Sequence, residues 1–175
     1  MRNRTVDRRK GRHRAGIRRR GGLRAAVVTG LLAAAAFAVP AQPASAACPD
    51  GGYPGPSGQR VKSPTSDAVF LIDPAGYKRP IPDPTTYNQF FRGWEGITTT
   101  SETNCYWTGS TIELGFDYLA KTSSGAYYFV DSTGSTQVAR WIPSVAIYDK
   151  YYFSWGTPQL VSQQFIDDHR GANWV

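Results

Sequence analysis

The chain has 175 residues, with 20 Lys+Arg against 13 Asp+Glu, a formal charge of +7 and two cysteines. The charge is unevenly placed. Met1–Ala46 holds 11 of the basic residues and one acidic residue, so the remainder carries 9 against 12 and is net −3. That excludes reading the basic total as a nucleic-acid footprint.

Residues 1–46 have the order of an export leader. An Arg-rich stretch from Arg2 to Arg24 precedes an apolar run, Ala25–Val39, and Pro40 and Pro43 lead into Ala44-Ser45-Ala46, a small-residue cleavage signal. The apolar run is 15 residues, short of the ~20 a membrane helix needs, so no membrane attachment is expected after cleavage. Arg19-Arg20-Gly21-Gly22-Leu23-Arg24 loosely resembles a twin-arginine signal. Arg-rich leaders also serve the general secretory route, and both routes stay open. Ser45-Ala46-Ala47-Cys48 lacks the bulky aliphatic residue of a lipoprotein box, which makes lipidation of Cys48 the weaker reading. Cys48 and Cys105 are the two cysteines, and two in an exported chain most often pair. Their bond would close a loop of 57 residues, stabilise by about 4 kcal/mol in the chain-entropy model and pin an N-terminal arm to the middle of the domain.

The 129 residues after the leader suit one domain or two very small ones. They hold all 10 Tyr, all 5 Trp and 7 of the 8 Phe, enough aromatic surface to fill a β core unaided. Residues 47–58 are rich in Gly and Pro and read as an extended arm.

From there the sequence duplicates. Ala68-Val69-Phe70-Leu71-Ile72-Asp73-Pro74-Ala75-Gly76 lines up with Ala126-Tyr127-Tyr128-Phe129-Val130-Asp131-Ser132-Thr133-Gly134 at an offset of 58. Tyr87 and Trp94 fall on Tyr148 and Trp155 at 61, and Gly109 on Gly171 at 62, so about three residues are inserted in between. One unit spans 59–109, and 110–175 holds the second with a linking strand in which Ile112, Leu114, Phe116 and Tyr118 alternate. Each unit predicts a meander. Val69–Ile72 and Tyr127–Val130 are buried strands, and Asp73–Gly76 and Asp131–Gly134 are turns into second strands, Tyr77–Ile81 and Ser135–Ala139. After a proline, Thr85–Phe91 and Ser144–Tyr151 predict short helices, and Ser162 is placed to cap another with Phe165 and Ile166 inward. The fold class expected is a small mainly-β or α+β domain of two tandem hairpin-plus-short-helix units on a shared aromatic core, since one unit alone has too little core.

The repeated pattern resembles short repeats of secreted, wall-associated bacterial proteins, especially from actinobacteria: apolar strand, Asp-x-x-Gly, Lys/Arg-Arg-x-Ile-Pro, Trp, Ser, Gly. The first unit carries it in Phe70–Asp73, Gly76, Lys78-Arg79-Pro80-Ile81-Pro82, Trp94, Ser101 and Gly109. The second keeps Asp131, Gly134, Trp155, Ser162 and Gly171, with Thr136-Gln137 in place of Lys78-Arg79. The resemblance implies an extracellular repeat module without established catalytic residues.

Candidate chemistry is sparse. His169 is the one histidine after the leader, and its place beside Asp167-Asp168 reads as a helix end, where a cation favours the free carbonyls. There is no zinc-type Cys/His spacing and no phosphate-binding Gly loop, so no metal or cofactor is expected. Glu95, Glu102, Glu113, Asp117 and Asp149 leave a carboxylate pair for glycoside hydrolysis open, which spatial separation alone decides. Trp94 and Trp155, recurring in each unit, read as core anchors rather than sugar platforms. Trp107, Trp141 and Trp174 lack a counterpart in that alignment and, with Tyr77 and Arg79, are the candidate binding residues. The function expected is a secreted, non-catalytic module that binds cell-wall or extracellular polysaccharide. A protein-binding or inhibitory domain is the alternative, and a small carboxylate-based hydrolase stands third.

Overall fold

Runs of β-branched and aromatic residues become strands, and the Pro-led segments between them become short helices. The computed structural model describes residues 47–175, so the leader read at 1–46 lies outside the described residues. In the first repeat, β1 (Arg60–Lys62), β2 (Val69–Ile72) and β3 (Lys78–Ile81) form an antiparallel meander. Helix α1 (Pro84–Phe90) then carries the chain across to β4 (Thr98–Thr99), which lies parallel to β1. The second repeat does the same with β5 (Tyr118–Lys121), β6 (Tyr127–Thr133), β7 (Thr136–Ile142), α2 (Val145–Lys150) and β8 (Gln159–Leu160). The two sheets have the same strand order, β3-β2-β1-β4 and β7-β6-β5-β8. A 3-10 turn (Ser101–Asn104) follows β4, and α3 (Gln163–Asp168) follows β8. The result is the small mainly-β, α+β fold expected.

The helices start where side-chain oxygens meet free N–H groups. Asp83 accepts from the Thr86 N–H, Ser144 from Ile147 and Ser162 from Phe165, each such cap stabilising by about 1 kcal/mol. β4 and β8, two residues each, are too short to carry a periodic signal, and the sequence reading missed both.

Backbone pairing corrects the alignment of the repeats. In the first hairpin Leu71 faces Arg79 and Val69 faces Ile81. In the second Phe129 faces Arg140 and Tyr127 faces Ile142. The counterpart of Arg79 is therefore Arg140, not Gln137. The three inserted residues lie in the second hairpin, where the strands run on to a Thr133–Thr136 pair closed by Gly134 (φ 66°) and Ser135. Asp131 consequently sits in a strand rather than a turn.

The same register holds beyond the helices. Lys78 N–H bonds Trp107 O, and Gly109 N–H bonds Lys78 O. Ala139 N–H bonds His169 O, and Gly171 N–H bonds Ala139 O. Ile112 N–H then bonds Pro80 O as Trp174 N–H bonds Trp141 O. Trp174 thus has a counterpart, Ile112. Ile112 is buried while Leu114 and Phe116 are exposed, so the alternating strand expected over Ile112–Tyr118 does not form.

Seven buried residues from Val69 to Ile112 meet seven from Leu119 to Trp174 in one core. Phe90, Phe129, Phe153 and Trp174 stack through its centre, with Phe129 and Trp174 centroids 4.1 Å apart. At ~25 cal/mol per Å² this shared apolar surface holds the repeats together, which neither sheet achieves alone. The Gly/Pro arm is bonded rather than loose. The Cys48–Cys105 disulfide closes it, Tyr53 exchanges backbone bonds with Cys105 and Trp107, and Gly58 N–H bonds Ile72 O.

Candidate functional site

Two of the five candidate binding residues come together. Tyr77 precedes β3 and Trp107 follows the 3-10 turn, and the backbone bond from Lys78 to Trp107 sets them side by side. Their rings are 5.4 Å apart and tilted by 40°, with 39% and 38% of each residue exposed. Trp107 donates from its indole to Gly51 O, 3.0 Å, so the disulfide-held arm fixes the ring. The pair lines an open cleft of about 580 Å³, bounded by Gly51, Gly52, Asn104 and Thr108. Two apolar faces edged by amides, a hydroxyl and carbonyls suit a ligand with both C–H and O–H surface.

The rim beneath is polar and fixed. Lys78 reaches Thr103 O at 2.8 Å, and burial lowers its pKa. Burial and a hydrogen bond to Glu102 raise the Tyr106 phenol to about 12, so it remains a donor through the neutral range.

The other three candidates lie elsewhere. Trp141 is exposed on β7, opposite Tyr128. Trp174 is 2% exposed and packed on Phe129, so the expectation of a surface role is corrected: it is a core residue, held inward because its backbone continues the β7 ladder. Arg79 is also 2% exposed. It donates from Nε to Ser110 O at 3.0 Å and forms ion pairs with Asp131 at 2.9 Å and Asp117 at 3.6 Å. It is a structural centre rather than a surface contact. Asp117 is fully buried and accepts from the Glu113 and Ser132 N–H groups. Burial nonetheless lifts its pKa against those bonds and Arg79.

The recurring tryptophans are neither simple core nor free surface. Trp94 stacks on buried Tyr87 with centroids 3.9 Å apart, and Trp155 on buried Tyr148 at 4.1 Å. Each tyrosine hydroxyl donates to a backbone carbonyl of the equivalent loop, Gly93 or Ser154. Both indoles keep one side exposed. An apolar groove of about 560 Å³ runs beside Trp94, floored by Phe70, Pro80, Pro82 and Pro84.

Tyr152 directly follows Tyr151, the residue that caps α2. It is the one non-glycine residue with positive φ (58°) among the described residues, a conformation disfavoured for a bulky side chain. Its ring lies between the Arg60 and Arg92 guanidiniums at 4.0 and 4.8 Å, and its hydroxyl bonds Glu95. Contacts of this kind stabilise by about 0.5–1 kcal/mol each at exposed sites. They offset the strain.

Four of the five acids of the hydrolase reading have separate partners. Asp149 pairs with Arg92 at 2.5 Å, Glu95 bonds Tyr152, Glu102 bonds Tyr106, and Asp117 lies beside Arg79. His169 ends α3, with its Nδ1 2.8 Å from Phe165 O and its ring stacked on Phe165. Among the described residues no helix is long and apolar enough to cross a membrane.

The fold is thus a small mainly-β domain of two sheets with equal strand order, braced by a disulfide and a buried aromatic cluster. No family model, curated protein or solved structure matches this chain.

Proposed function

We propose that the chain is an exported, non-catalytic module that binds a cell-envelope or extracellular polysaccharide. The observation that carries this reading is the exposed Tyr77–Trp107 pair over an open, polar-edged cleft. An open cleft accepts a chain passing through it, where a closed pocket would demand a free end. The leader, the disulfide and the resemblance of the repeats to wall-associated modules support an extracellular site of action. Co-sedimentation with insoluble peptidoglycan, chitin and cellulose tests it, with the supernatant assayed for released sugar. Binding without release, lost in Trp107→Ala and Tyr77→Ala, is the expected result. Release of sugar transfers the role to the carboxylates.

A second reading rests on the Trp94 groove. Prolines and aromatics with few polar groups suit an apolar peptide segment better than a sugar. Failure to bind any of the three polymers, together with intact folding, favours this protein-binding alternative.

A further inference from the structure

Between the two repeats lies a recess of about 340 Å³, separate from the aromatic cleft. Asp73 comes to it from the first repeat, and Asp131, Arg140, Asn173 and Trp174 from the second. Two of these residues carry buried polar atoms with no hydrogen-bond partner, Nε1 of Trp174 and Oδ1 of Asp131. The Asp131 oxygen has only its ion pair with Arg79, and the indole has nothing. A buried donor left unpaired costs about 1–3 kcal/mol, so a native fold that keeps one calls for an explanation.

The charge balance narrows the ligand. Arg140 stands against Asp73 and Asp131 in the lining. A metal cation would meet the Arg140 guanidinium, and an anion would meet two carboxyls. An apolar molecule would leave the orphan indole donor unpaired. A neutral molecule with adjacent hydroxyls accepts from the indole and donates to the Asp73 carboxylate, because each hydroxyl donates and accepts at once. The volume is at the small end of the ~300–1,000 Å³ of ligand pockets, room for one sugar ring rather than a polymer.

We propose that this inter-repeat recess binds a single small polyol or sugar unit, whose hydroxyls accept from Trp174 Nε1 and donate to the Asp73 carboxylate. The site is independent of the aromatic cleft. It would make ligand binding a clamp between the repeats, since its walls come from both.

The test is a 15N titration of the secreted protein with N-acetylglucosamine, D-glucose and myo-inositol at millimolar concentrations, read at the tryptophan indole N–H signals. The expected result is a saturable downfield proton shift of the Trp174 indole with at least one probe. Asp73→Asn, which keeps the oxygen that accepts the Ala75 and Tyr77 N–H bonds, is expected to weaken that affinity about tenfold. Trp107→Ala should leave it unchanged. The proposal is overturned if the Trp174 signal moves with none of the three, which would mean that ordered water fills the recess, or if Asp73→Asn titrates like the native protein. Because the readout is at Trp174, it fails or succeeds separately from polymer binding at Trp107.

Discussion

Arg79 and Arg140 hold equivalent positions in the two repeats and converge on opposite oxygens of one carboxylate, Asp131, at 2.9 and 3.0 Å. A single acidic side chain therefore ties the second strand of one hairpin to that of the other. The two arginines differ in burial, the first enclosed and the second partly open.

That difference predicts unequal costs. Arg79→Met leaves the buried Asp117 without its cation and Asp131 with Arg140 alone, and should destabilise by about 3–5 kcal/mol. Arg140→Ala removes a partly solvated pair and should cost about 1 kcal/mol. Urea unfolding of both variants measures the contrast, and equal losses would refute it.

Burial lifts Asp117 above the ordinary carboxylate value of about 4. The folded state then keeps a proton that the unfolded chain has already released. Stability from this group is present at low pH and is lost as pH rises from about 4 through the folded value. Comparing native protein with Asp117→Asn cancels the other acids. The native-minus-variant unfolding free energy should fall between pH 4 and pH 7, and a rise would contradict the sign.

Trp174 and Trp107 should separate stability from binding. Truncating the buried ring by Trp174→Ala should cost about 3–5 kcal/mol. Trp107→Ala removes one exposed contact and should cost less than about 1 kcal/mol while abolishing polymer co-sedimentation. Thermal melts beside a pull-down assay distinguish them, and a Trp107 variant that melts as low as the Trp174 variant would void the assignment.

The disulfide serves both ends. Cys48→Ser with Cys105→Ser opens a loop spanning a sequence separation of 57 and should cost about 4 kcal/mol in the chain-entropy model. It also frees the arm whose Gly51 carbonyl holds the Trp107 indole. Binding at the aromatic cleft should therefore weaken even at temperatures where the variant remains folded, as calorimetry on soluble fragments of the bound polymer would show.

Local patterns were enough to establish the duplication, the meanders, the Ser162 cap and the cysteine pairing, because each depends on residues near in sequence or on there being only two cysteines. Strand periodicity identified Val69–Ile72 and Tyr127–Val130, and Ser162 marked its helix. The repeat alignment failed across the second hairpin, since an insertion in a turn leaves both flanks locally plausible. Only the hydrogen-bond register paired Arg79 with Arg140 and Ile112 with Trp174. Exposure was likewise a tertiary matter: Trp107 and Trp174 look alike as isolated tryptophans, yet one ends in an open cleft and the other stacked on Phe129 in the shared core. The inter-repeat recess and the strained Tyr152 between two arginines had no sequence signal, because they arise only where two copies of the unit press together. Composition and order determined what each repeat is; the packing of one repeat on the other decided which of its side chains are left to meet a ligand.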